Sequence, residues 1–190
     1  MKRKHEIFRK VAFLYTNTER NFSQWMWENH VKVVASYAEE LAERFGGNIE
    51  YCYVGGLLHD IGDVWMDRSD EGFEEKSQGE GRKIMEETGF DKSEIKLILD
   101  RIIAPHSCYP ENMPTTLEGK IVATADAIAH LKTDIYEELK RRGLPKYVQS
   151  GKFNEWVKIK LDRDFERKIF WEDIQEKVRQ DYEKLKSNFI

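Results

Sequence analysis

The run Val54-Gly-Gly-Leu-Leu-His-Asp-Ile-Gly62 is apolar except for His59 and Asp60. Its aliphatic residues belong in a core, and they carry an imidazole and a carboxylate in with them. Burying such a pair without a partner costs on the order of several kcal/mol. A bound divalent metal is the simplest partner. Tyr51, Val54, Leu57, Leu58 and Ile61 recur at the spacing of one helical face, and Asn48 can cap the helix they predict. Gly55 and Gly56 lie inside it, where each lowers helix propensity. They point either to the close approach of another backbone or to a plain packing role.

Helix signals continue on both sides, and strand signals are weak. Upstream, Val31, Val34, Ala35, Ala38, Leu41, Ala42 and Phe45 mark one face of an amphipathic helix that Gly46-Gly47 stops. Downstream, residues 63–76 are acidic and irregular and read as a loop over whatever His59 and Asp60 face. A helix is predicted from about Ser77 to Thr88. Asp91 or Ser93 caps the next, which runs to Ile103 before Pro105. Thr115 or Thr116 caps a long helix whose centre, Ala123-Thr-Ala-Asp-Ala-Ile-Ala129, is rich in small residues. Small side chains let neighbouring helices close in, so Asp126 is expected in the interior. Gly143-Leu-Pro145 marks a boundary. Two helices are predicted in residues 146–190, with their many charges read as a solvated surface. The expected organisation is a domain over 1–145 with a helical extension, 146–190, packed on it.

The 190 residues are 40% hydrophobic and 35% charged, with a net charge of −4. That composition is globular rather than disordered. A general nucleic-acid binder is more often basic, so no nucleic-acid partner is expected. No apolar run approaches the ~18 residues of a membrane span. Val11-Ala-Phe-Leu-Tyr15 is too short for a signal-peptide core. Cys52 and Cys108 have no metal or redox spacing, so a reducing, cytoplasmic location is expected.

His30 lies beside the apolar stripe of the first strong helix. With His59, Asp60 and Asp126 it makes a mixed nitrogen–oxygen donor set. Such a set suits Mn²⁺, Fe, Ni²⁺, Co²⁺ or Zn²⁺ better than a thiolate or all-oxygen site would. It leaves positions open for water and a phosphate oxygen, and a metal there would acidify the water. Singly, each residue has an ordinary reading: a half-buried helix histidine, a hydrogen-bonded pair at a helix end, an aspartate paired with a buried arginine. Jointly they point to a metal site.

The pattern of a histidine, a His-Asp pair and a distant aspartate resembles the HD-domain metal-dependent phosphohydrolases. Leu58-His-Asp-Ile-Gly62 carries the resemblance, together with Ile103-Ala-Pro-His-Ser107 and Leu117-Glu-Gly-Lys-Ile-Val-Ala-Thr-Ala-Asp126. It covers roughly residues 22–140. It implies an all-α bundle of about five core helices, here with extra helices at the C-terminus. It also implies hydrolysis of the phosphate ester of a small metabolite, most often a nucleotide. Many members place another histidine about one helix after the pair. Gly72-Phe-Glu-Glu-Lys-Ser-Gln-Gly79 has none, so a single divalent metal is expected, held by His30, His59, Asp60 and Asp126. Asp63, three residues after Asp60, stands where a nucleotidase-like branch uses an acidic residue in proton transfer. Lys76, Arg82 and Lys120 are candidates for holding the substrate phosphate, and His106 for lining the pocket. His130, four residues after Asp126, is read mainly as structural. The alternative function is a metal- or nucleotide-binding module with little turnover.

Overall fold

The computed structural model describes residues 2–146 and 148–189. Among them the regular structure is helical, with one isolated β-bridge between Tyr109 and Asn112. Three helices form the centre: α3 (Lys32–Phe45), α4 (Ile49–Leu58) and α7 (Leu117–Lys132), once α1 (Lys2–Thr16) and α2 (Asn21–Met26) have been laid against one side. The apolar positions set this arrangement. Ile7, Val11 and Tyr15 on α1 recur every four residues and are fully buried. On α7 every residue from Ile121 to Leu131 is buried, so this helix is the axis around which the others pack.

The α3–α4 hairpin follows from its turn. Gly46 takes the left-handed conformation at φ 79°, and the amides of Gly46 and Gly47 both bond Ala42 O. The Asn48 side chain then accepts from Tyr51 N at 3.1 Å and opens α4. A Cβ on Gly56 would stand 2.7 Å from Ala35 Cα, so the two helices touch backbone to backbone. Gly55 instead faces side chains, those of Ile102 and Val122.

A π turn, Trp27–Val31, leads into α3, and a 3-10 turn, Ile61–Val64, follows α4. The next helix, α5 (Phe73–Glu87), starts four residues before the expected Ser77. Glu74 and Glu75 occupy its first turn, where acidic groups offset the helix dipole. The predicted loop over 63–76 is correspondingly shorter. α6 (Lys92–Leu97) opens on an Asp91–Glu94 capping box and continues as a π turn, Ile98–Ile103. Thr116 caps α7 through Gly119 N. α8 (Ile135–Arg142) ends at Gly143. The C-terminal stretch supplies α9 (Phe153–Arg163), a π turn over Asp164–Lys168, and α10 (Glu172–Asn188). The π turn and α10 pack on α7, α9 packs on those two, and Trp171 stacks on Phe45 with centroids 4.1 Å apart. No helix among the described residues is long and apolar enough to cross a membrane.

Gly56→Ala is expected to lower the unfolding free energy by about 1–3 kcal/mol, although alanine is the better helix former, because the added methyl meets backbone. Gly55→Ala should lose less, since side chains can shift. Urea unfolding of the two variants measures the difference.

Candidate metal centre

His30 lies within the Trp27–Val31 π turn, where Lys32 N bonds Trp27 O, five residues back. The extra residue rotates the helix face and turns His30 into the core, where it is 0% exposed. His59 ends α4, and its Nδ1 donates to Gly56 O at 2.8 Å, which leaves Nε2 to face the cluster. Asp60 follows at the turn. Tyr15 Oη bonds Asp60 O at 2.8 Å, and Ser23 Oγ bonds Asp63 O at 2.6 Å, so α1 and α2 brace this turn. Asp126 enters from the buried middle of α7.

The four residues converge. His30 Nε2 lies 3.2 Å from His59 Nε2, 3.2 Å from Asp126 Oδ1 and 3.7 Å from Asp60 Oδ2. His59 Nε2 lies 3.1 Å from Asp60 Oδ2 and 3.5 Å from Asp126 Oδ1. Two groups among the described residues have ligand spacing, His30–His59–Asp60 and His30–Asp126–His130, and they share His30. The buried Asp126 Oδ1 has no hydrogen-bond partner. An unsatisfied buried carboxylate oxygen beside two imidazole nitrogens fits a divalent cation, and the nitrogen–oxygen donors suit the transition metals named above.

Electrostatics agree with that fit. Burial would raise the Asp60 carboxyl, but Arg68 and His59 hold it well below the usual carboxylate range. Burial opposes ionisation of Asp126 too, and His130 and Lys168 overcome it. Burial alone would lower His59, yet Asp60 and Asp126 push it up to about 10. The site therefore holds two ionised carboxylates whose field draws positive charge.

Three charged residues close to this cluster escape the sequence reading. Lys168 is 1% exposed, and its ammonium pairs with Asp126 Oδ2 while lying 3.6 Å from Asp164 Oδ1. Asp164 Oδ2 accepts from His130 Nδ1 and from Tyr136 Oη, both at 2.9 Å. The expectation of a solvated C-terminal surface fails at these two positions, because the π turn carrying them runs along α7. Arg68 bonds Asp60 Oδ2 and also Asp63 Oδ2 at 2.8 Å. Nothing in its loop sequence sets it apart.

His130 stacks on His30 with centroids 4.9 Å apart and is anchored by Asp164, and it also belongs to the second group with ligand spacing. Burial pushes it down to about 4, against the pull of Asp126 and Asp164. Asp63 is buried and ionically tied to Arg68, and burial together with Asp60 raises its carboxyl above the ordinary value.

A cavity of about 640 Å³ opens beside the cluster, with His59, Asp60, Arg68 and His106 in its wall. His106 Nδ1 donates to Ile103 O at 2.7 Å, and Nε2 lies 4.0 Å from Asp60 Oδ1. The other phosphate candidates lie outside this lining. Lys76 pairs with Glu80 at 2.9 Å, Arg82 is exposed, and Lys120 lies over the Phe170 ring at 5.7 Å. Helix phase is the reason. Phe73, Ser77, Glu74 and Gln78 face the cavity, and Lys76 and Arg82 lie about 130° and about 110° from the centre of that arc around α5. Lys120 is turned about 120° from Asp126 around α7.

His59→Ala and Asp60→Asn should each leave purified protein without stoichiometric metal by elemental analysis. Chelation should lower the melting temperature of the native protein alone. Lys168→Met leaves Asp126 and Asp164 buried without their cation and should cost about 3–5 kcal/mol in the metal-free state. Added metal should restore part of that loss, as read by thermal unfolding with and without the ion.

The sequence profile of the HD domain family matches residues 27–131. That is more than half of the chain and contains all four converging residues. Ribonuclease Y of Thermosipho melanesiensis (strain DSM 12029 / CIP 104789 / BI429) is 37% identical over 101 residues, which is 53% of this chain and 18% of that protein. No solved structure matches. The helical bundle, the converging His30, His59, Asp60 and Asp126, and the extent of the profile match lead to one conclusion: the chain belongs to the HD domain family.

Proposed function

We propose that this chain is a metal-dependent phosphohydrolase that cleaves the phosphate ester of a small metabolite, in our reading a nucleotide, with water as nucleophile. The observation that carries this reading is the convergence of His30, His59, Asp60 and Asp126, with His59 and Asp60 in the wall of a 640 Å³ cavity. The name of the ribonuclease relative is in keeping with phosphoester chemistry, although the match spans 18% of that protein.

His30, His59, Asp60 and Asp126 would hold one divalent ion. When bound, the ion supplies Lewis acidity, activating water and offsetting charge on the phosphoryl group. The remaining work falls to this chain's own residues. His59 is oriented through Gly56 O and Asp126 through Lys168. Arg68 can swing its fork from Asp60 onto a phosphate oxygen while Asp63 keeps hold of it. In hydrolysis the water oxygen forms a bond to phosphorus, the ester P–O bond breaks, and the leaving oxygen takes a proton. Asp63, a carboxylate held by Arg68, is the candidate to take the proton that the water loses and to return it to the leaving oxygen. His106 Nε2 faces the cavity as a neutral acceptor, since burial pushes the imidazole down to about 3 and Nδ1 carries the hydrogen bonded to Ile103 O. Cys52 and Cys108 are free and buried, which supports a reducing compartment such as the cytoplasm. On the same reading, 146–190 is an integral extension of the domain over 1–145.

A second reading, a metal- or nucleotide-binding module with little turnover, draws on the Arg68 contact, which engages a donor oxygen of Asp60.

Metal-loaded protein should hydrolyse an aryl phosphate or a nucleotide. Asp60→Asn should cut the rate about 10³-fold or more, the effect of losing several kcal/mol of charge stabilisation. Asp63→Asn should lower kcat about 10²-fold or more and alter the pH profile while leaving metal content intact. A rise in melting temperature on adding metal and nucleotide, with no product across a broad panel, would favour the second reading.

A further inference from the structure

One wall of the large cavity comes from beyond residue 131, outside the family match. Lys160 and Arg163 line it, three residues apart and so on one face of α9. Neither is paired with a carboxylate among the described residues, whereas Arg68 and Lys168 each hold two. Arg163 Nε is buried without a hydrogen-bond partner, and its guanidinium lies 4.8 Å from the centroid of the Tyr109 ring. The half-buried Lys160 ammonium has an aromatic neighbour, Trp156, at 5.8 Å. The acids in the same lining are Asp60, committed to Arg68, and Glu74, exposed in the first turn of α5.

Two such cations facing one hollow are costly unless an anion joins them. Lys160 precedes Asp164 by one helical turn, about 6 Å along the axis. Asp164 holds His130, which stacks on His30, and Lys168 holds Asp126. The pair thus stands close to the metal cluster without belonging to it. An arginine fork beside a lysine matches a dianionic phosphoryl group better than a single carboxylate.

We propose that Lys160 and Arg163 form an anion subsite that takes the second phosphoryl group of a diphosphate- or triphosphate-bearing substrate whose first phosphate lies at the His30–His59–Asp60–Asp126 cluster. The substrate assignment rests on the phosphohydrolase reading; the subsite itself is tested apart from it.

Calorimetric titration of dialysed, metal-free protein with inorganic pyrophosphate and with orthophosphate makes that test. The native chain should bind pyrophosphate about tenfold or more tightly than orthophosphate, Lys160→Gln/Arg163→Gln should abolish the preference, and Lys160→Arg should keep it. Circular dichroism and metal uptake check that the double variant is folded; if it is not, Lys160→Gln and Arg163→Gln are compared singly. With metal restored, the double variant should raise KM for a nucleoside diphosphate more than for the monophosphate. Equal binding of the two anions by the native chain, or a preference that survives both substitutions, overturns the subsite. Turnover of a phosphoester with no effect of the variants leaves the hydrolase and removes the subsite. A variant-sensitive preference without turnover of any phosphoester keeps the subsite and removes the hydrolase.

Discussion

The ionised carboxylate of Asp126, 2% exposed in the middle of the most deeply buried helix, sets the terms for the rest of the molecule. An isolated charge in that position would forfeit several kcal/mol of hydration. It is tolerated because positive or polarisable groups reach it from separate directions: His30 from the π turn before α3, His59 from the end of α4, His130 from its own helix, and Lys168 from the turn after α9. Each of those groups needs an element to deliver it. The packing of α3, α4 and the C-terminal helices around α7 is therefore an electrostatic requirement as well as an apolar one.

A similar logic runs through the neighbouring carboxylates. Asp60 and Asp63 share Arg68, and Asp164 shares Lys168 with Asp126. The resulting network is nearly closed, and Asp126 Oδ1 is the buried carboxylate oxygen among the four converging residues that stays unbonded. Lys160 and Arg163 are the contrasting case, cations without a carboxylate partner in the lining of the cavity. The chemistry of the cluster and these two charges thus come from different stretches of the chain, one inside the family match and one beyond it.

Legibility from sequence followed the range of the determining forces. His59-Asp60 was readable because two polar groups closing an apolar run pose a problem that the run itself states. Asp126 was readable because alanines on either side announce close packing. The caps at Asn48, Asp91 and Thr116 were readable because capping is local. Partner choice at a distance was not. Lys168 and Asp164 sit in a tail so rich in charge that no pattern separates the two that turn inward. Lys76, Arg82 and Lys120 were plausible by type, but their usefulness depended on which face of a helix meets the hollow. That phase is decided by packing contacts absent from the local sequence. Gly56 is intermediate: a close approach was one of two readings, and only the fold names Ala35 as the neighbour.

The ion pair between Lys168 and Asp126 also bears on how this protein can change over time. A fragment ending at residue 131, where the family match stops, would retain every residue of the converging quartet yet strand an anion inside a hydrocarbon interior. Recombination that exchanged this tail for another would have to import a buried cation at the same spot. The tail and the quartet are accordingly coupled through one buried charge pair, of which only Asp126 lies within the family match.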